Sequence, residues 1–160
     1  LQRQIEQSLS QITLASVGGA PRDSNYWQTD GKGFTRIHPA IKEGGVVIML
    51  SECSEGVGHP DLAKALLGGT ADEILEHFKQ ADFTVYGNKA FRLANLVKKA
   101  DVYMVTSGVN QETFGKLPLK FFSSAQAALN AAFQKLGPSA RVAVVPRTPG
   151  ILLKAGKPKM

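Results

Sequence analysis

The 160 residues, 43% hydrophobic and 20% charged, have the balance of one ordinary globular domain long enough to bury a core. Their net charge of +6 is scattered rather than striped, which argues against a nucleic-acid partner and leaves an anionic small ligand or an acidic partner domain. No apolar run reaches the roughly 20 residues of a membrane helix, no secretory leader is visible, and the single cysteine, Cys53, excludes an internal disulfide and fits a reducing, cytoplasmic setting.

The chain opens without an initiator Met, which reads as a fragment or processed piece. Residues 1–10 read as a short helix, with Ile5 and Leu9 four apart. Gln11 to Val17 reads as a first strand, closed by Gly18-Gly19. A chemically mixed loop follows, Gly18 to Gly33, with two adjacent aromatics, amides and both signs of charge. Lys32 to Ile41 has helical spacing, with Phe34, Ile37 and Ile41 on one face, and Pro39 makes that helix short or irregular. Val46 to Leu50 is a continuous apolar run, the mark of a strand buried on both faces of a parallel sheet. It runs into a second polar loop, Ser51 to Pro60, and a short helix over Asp61 to Leu67.

Thr70 and Glu73 form a capping box before a helix carrying Ile74, Leu75 and Phe78. Phe83 to Tyr86 reads as a short strand or an extended lead-in, with Asn88 capping a helix through Lys99. Asp101 to Ser107 is the next strand and opens into a third polar loop, Gly108 to Glu112. Leu119 to Phe122 reads as a further short strand, and Ser123 with Gln126 as a capping box for an amphipathic helix ending at Leu136. Arg141 to Pro146 is the last strand, and Lys154 to Lys159 a solvated tail. Strands alternating with helices imply an α/β fold, a Rossmann-like three-layer sandwich with a mostly parallel sheet flanked by helices. In such folds ligands bind beyond the C-terminal strand ends, where the three polar loops converge.

Gly56-Val57-Gly58 invites a phosphate-cradle reading. A third glycine is missing, however, and Glu52 and Glu55 would repel phosphate. His38, His59 and His77 lack metal-ligand spacing, and no nucleophile elbow is present. His59 is the histidine placed at the ligand edge. Cys53 reads as a buried thiol sooner than a reactive one. Gln28 and Lys32, four apart, share a face if a helix starts near Gln28, and an amide with an ammonium can hold a carboxylate. Tyr26 could add a phenol, while Trp27 reads as a core plug.

Gly18-Gly19-x-Pro21-x-Asp23 leading to Tyr26-Trp27-Gln28 and Lys32 resembles the C-terminal domain of the nickel-pincer lactate racemase family. So do Gly44 to Ile48 running into Glu52-Cys53-Ser54-Glu55-Gly56-x-Gly58, Gly87 to Ala90, and Ala100 to Val105. The resemblance implies that residues 1–160 are a single α/β domain whose N-terminal catalytic domain lies outside this chain. That partner domain would bind a nickel pincer nucleotide, which takes a hydride from C2 of a small 2-hydroxy-acid substrate and returns it to either face. The resemblance assigns no catalytic or metal-binding residue to this chain. It implies substrate contacts at Gln28 and Lys32, with Tyr26 or Trp27 for the family's tyrosine, and Tyr86 or Asn88 for an aromatic ahead of the following helix. Trp27 separates Tyr26 from Gln28, and Lys32 comes one residue late, so a substrate other than lactate is implied. The alternatives are a stand-alone nucleotide- or small-ligand-binding domain and a non-catalytic scaffold.

Overall fold

The computed structural model describes residues 3–7 and 10–155. Its centre is a five-stranded, wholly parallel sheet. The strands are β2 (Ser10–Ser16), β3 (Ile41–Leu50), β4 (Asp101–Val105), β5 (Leu119–Phe122) and β6 (Val142–Val145), ordered β5-β4-β3-β2-β6. Strand order therefore reverses at β2, and the sheet is an open Rossmann-like α/β sheet as expected. Side-chain alternation divides the core into two faces. Val47 and Met49 of β3 and Val102 and Met104 of β4 point to one, while Val46, Ile48 and Tyr103 point to the other.

The first face carries most of the helices. These are α1 (Tyr26–Thr29), α2 (Thr35–Ile37), α3 (Pro60–Leu66), α4 (Ala71–Gln80), α5 (Val85–Lys99) and α6 (Gln111–Phe114). The second face is covered by α7 (Ala125–Leu136), whose Ala128 and Ala132 are fully buried against the sheet. Small residues at that contact let the helix lie close.

Several boundaries differ from the sequence reading. Within the stretch read as a helix over 1–10, Arg3–Gln7 forms a strand, β1, paired in parallel with β7 (Ile151–Ala155). Two apolar positions four apart are weak helix evidence, and the pairing partner lies at the far end of the chain, where no local pattern reveals it. β7 also takes in Lys154 from the stretch read as a solvated tail; residues 156–160 lie outside the described residues. The helix over 32–41 starts earlier, at Tyr26, and runs to Ala40 through an i→i+5 turn at Asp30–Phe34 and a 3-10 turn at His38–Ala40. Pro39 sits in that last turn. Asn88 is not a cap. Thr84 is, accepting from the Gly87 N–H at 2.9 Å, so α5 begins four residues sooner and Asn88 lies inside it. Ser124 rather than Ser123 caps α7, accepting from the Ala127 N–H at 3.1 Å. The Thr70–Glu73 capping box forms as read.

Candidate functional site

Three loops at the C-terminal edge of the sheet make a single laced platform. Cys53 N–H donates to the Asp23 carbonyl at 2.8 Å, Glu55 N–H to Ser24 O at 2.7 Å, Tyr26 N–H to Gly56 O at 2.9 Å and Trp27 N–H to Val57 O at 3.0 Å. The buried Asp23 carboxylate accepts from the Glu52 N–H at 3.2 Å. The loop after β4 joins through Gly108 N–H and the Thr106 hydroxyl, both on Glu52 O, and through the Ser107 hydroxyl on the Glu52 carboxylate. Glycine is required twice here. A Cβ on Gly108 would stand 1.7 Å from the Cys53 carbonyl oxygen, and Gly58, at φ +90°, would place one 2.6 Å from Asn25 Cγ. Cys53 itself takes φ +52°, uncommon for a side-chain-bearing residue. Its thiol is fully buried beside Thr29 and Ser51.

The same hydrogen bonds bear on the phosphate-cradle reading. The N–H groups of Glu52, Cys53, Glu55 and Gly56 are spent on carbonyls and on Asp23, not presented to an anion. The His59 ring caps α3 by accepting from the Asp61 N–H at 3.2 Å.

The platform launches the first helix. Asn25 is its N-cap, accepting from the Gln28 N–H at 3.1 Å while its amide donates to Glu55 at 3.3 Å. Tyr26, Thr29, Asp30, Gly33, Phe34 and Ile37 form the buried stripe. Gln28 and Lys32 therefore fall on the outward side of consecutive turns, each half-buried. Neither side chain has a hydrogen-bond or ion-pair partner among the described residues. Tyr26 is fully buried against Phe34 and Phe114, and its hydroxyl lacks a partner among the described residues. Burial first, then the charge of Asp30, pushes its phenol pKa well up.

Trp27 is half-buried at the rim of the platform. Its ring lies 5.1 Å from that of Tyr86 and 6.2 Å from that of His59, and His59 stacks on Tyr86 at 4.2 Å. The Tyr86 hydroxyl meets His59 Nε2 at 2.9 Å. Lys89 Nζ sits 4.6 Å over the indole, a cation–π contact. Lys89 also donates to Asp30 at 2.6 Å and to the Trp27 carbonyl at 3.4 Å, and Arg92 shares the same Asp30 oxygen. Asn88 is half-buried in the first turns of α5, with no side-chain hydrogen bond among the described residues.

The sequence reading thus reached Gln28, Lys32, Trp27 and His59 at one edge, but not the Asp30–Lys89–Arg92 cluster beneath them. Its one local trace is Lys89 and Arg92 three apart on an otherwise apolar helix face. Among the described residues, no three His, Cys, Asp or Glu side chains come together to hold a metal ion, so no chemical step through a metal is derived from this chain.

The family model for the lactate racemase C-terminal domain matches residues 5–153. A lactate racemase of Thermoanaerobacterium thermosaccharolyticum is 31% identical over 114 residues, covering 63% of this chain and 24% of that protein. One of Lactiplantibacillus plantarum is 26% identical over 149 residues, covering 89% of this chain and 34% of that protein. The structure of the lactate racemase apoprotein from T. thermosaccharolyticum superposes with a TM-score of 0.82 at 23% identity, over 93% of this chain and 36% of that one. A Thermotoga maritima protein shares the fold more distantly, with a TM-score of 0.56 at 16% identity, over 95% of this chain and 39% of that one. The chain spans about a third or less of the length of its curated relatives. With nearly all of its described residues inside the matched region, the chain belongs to the lactate racemase C-terminal domain family.

Proposed function

We propose that this chain is the substrate-side domain of a 2-hydroxy-acid racemase or epimerase, whose catalytic N-terminal domain lies outside the 160 residues. The observation that carries this reading is the uncommitted pair Gln28 and Lys32, held outward on a braced helix start at the ligand edge of the sheet. An ammonium neutralises the substrate carboxylate, and an amide supplies one donor and one acceptor to fix its hydroxyl. Trp27 walls the site beside them, and Tyr86 and Asn88 close it from α5. Tyr26 supports this wall from inside the core. The family resemblance supports a nickel pincer nucleotide held by the upstream domain; when bound, it would supply hydride acceptance and return at C2. No helix among the described residues is long and apolar enough to cross a membrane.

The stand-alone nucleotide reading fares worse, because the Gly56 amide is already hydrogen-bonded to the Cys53 carbonyl, and Glu52 and Glu55 stand beside the same loop. The test is Lys32→Ala in the full-length, cofactor-loaded protein. Turnover of the preferred hydroxy acid should fall about 100-fold or more in kcat/KM, since a charge-assisted clamp is lost. The unfolding free energy should stay within about 0.5 kcal/mol of wild type, because Lys32 bonds to nothing among the described residues. Wild-type kcat/KM in the variant would remove Lys32 from the site.

A further inference from the structure

A groove between α3, α4 and α5, with a cavity volume of about 790 Å³, begins at Trp27. Its walls are Trp27, Ala65, Ile74, Phe78, Tyr86 and Ala90. Trp27 lines the groove and immediately precedes Gln28, so the groove ends one residue along the chain from the proposed carboxylate clamp. The charged groups along it, Asp61, Lys64 and Asp82, are all exposed and carry two negative charges against one positive. That balance turns a carboxylate away from the groove and toward Lys32. The volume lies in the range of sites that enclose small organic ligands, far beyond a methyl group. Val85 on the groove is 52% exposed, and Phe83, outside the lining but edge-on to the lining Phe78, is 70% exposed. The largely apolar lining suits an apolar ligand.

Resting on the function proposed above, we infer that the substrate is a 2-hydroxy acid with a bulky, apolar and preferentially aromatic side chain. The carboxylate sits at Gln28 and Lys32, and the side chain extends past Trp27 and Tyr86 into the groove. Three aromatic rings line the path, Trp27, Tyr86 and Phe78, which suits a flat ring through edge and offset contacts. The Lys89 cation on the Trp27 ring holds that indole in place as the groove's near wall.

The experiment uses the full-length, cofactor-loaded protein with lactate and 3-phenyllactate as probes. Racemisation is followed by chiral chromatography, and binding to the cofactor-free protein by calorimetry. The inference expects kcat/KM at least 10-fold higher for 3-phenyllactate, and tighter binding of it without cofactor. Ala65→Leu narrows the groove from α3, and Val85→Trp obstructs it from an exposed position. Each should cut kcat/KM for 3-phenyllactate at least 10-fold while leaving that for lactate within twofold, and two sites guard against one variant misfolding. Equal or better use of lactate would overturn the inference while leaving the proposed function standing. Folded variants that lose nothing on 3-phenyllactate would overturn the groove assignment. Racemisation of neither acid, with no binding of either, would overturn both.

Discussion

His59 makes two hydrogen bonds of different kinds. Its Nδ1 accepts from the Asp61 N–H, so the neutral ring carries its proton on Nε2 and donates it to the Tyr86 oxygen at 2.9 Å. The Tyr86 hydroxyl proton is then left to be donated elsewhere. Removing the ring removes a helix cap as well as the partner of Tyr86. His59→Ala should therefore lower stability by about 1 kcal/mol in urea unfolding, whereas His59→Asn, a good cap, should stay within about 0.5 kcal/mol. Equal losses in the two variants would show that the Tyr86 contact, not the cap, supports the fold. Spacing and loop position were enough to place His59 at this edge; the stacked partner, 27 residues on, was not readable.

At the level of elements, the first helix departs from regular α geometry where Asp30 enters the core. Thr35 donates both its N–H and its hydroxyl to the Asp30 carbonyl, the latter at 2.9 Å, closing a wide turn. The Asp30 carboxylate, 2% exposed, then neutralises Lys89, itself 7% exposed, across to α5. Asp30→Ala strands that ammonium in a dry site, and the expected loss in urea unfolding is about 3 kcal/mol or more. A loss under about 1 kcal/mol would mean that water reaches Lys89. The terminal strand pair is a second test. Leu153 of β7 is 2% exposed and packs in the core on the helical face of the main sheet. Leu153→Ala should cost roughly 2 to 5 kcal/mol by thermal or chemical unfolding. A tail lying in solvent would lose nothing.

Across the whole molecule, the sheet has one thickly covered face and one thinly covered one. Val144 of β6, opposite Leu14 of β2, remains 62% exposed beyond the reach of α7. The helical face also carries a pH dependence. Partial burial, then the charges of Lys99 and Arg92, lowers the pKa of His38 below its usual 6.5. The unfolded chain therefore binds more protons than the folded one as pH falls through about 6.5, so this contribution is fully present above that value and is lost toward acid. His38→Gln should shrink the drop in melting temperature between about pH 7.5 and 5.5 relative to wild type. An unchanged drop would place the acid sensitivity elsewhere.

Local pattern alone determined the strands of the central sheet and its mostly parallel character, while the strand order came from the structure. Val46 to Leu50 is apolar at every position because a central parallel strand is covered on both faces, and the Thr70–Glu73 box closes within four residues. The sequence also put Gln28 and Lys32 four apart beyond the first strand, on one face if a helix began there, and its motifs pointed to the family. Contacts distant in sequence decided the rest. β1 became a strand because β7 offered it a ladder, and Thr84 became the cap because packing of α5 set where that helix starts. Asp30 became a buried ion-pair partner because α5 brings Lys89 and Arg92 to it. Short-range periodicity encodes which face of an element is apolar, whereas the partner that satisfies a buried charge is chosen by the fold.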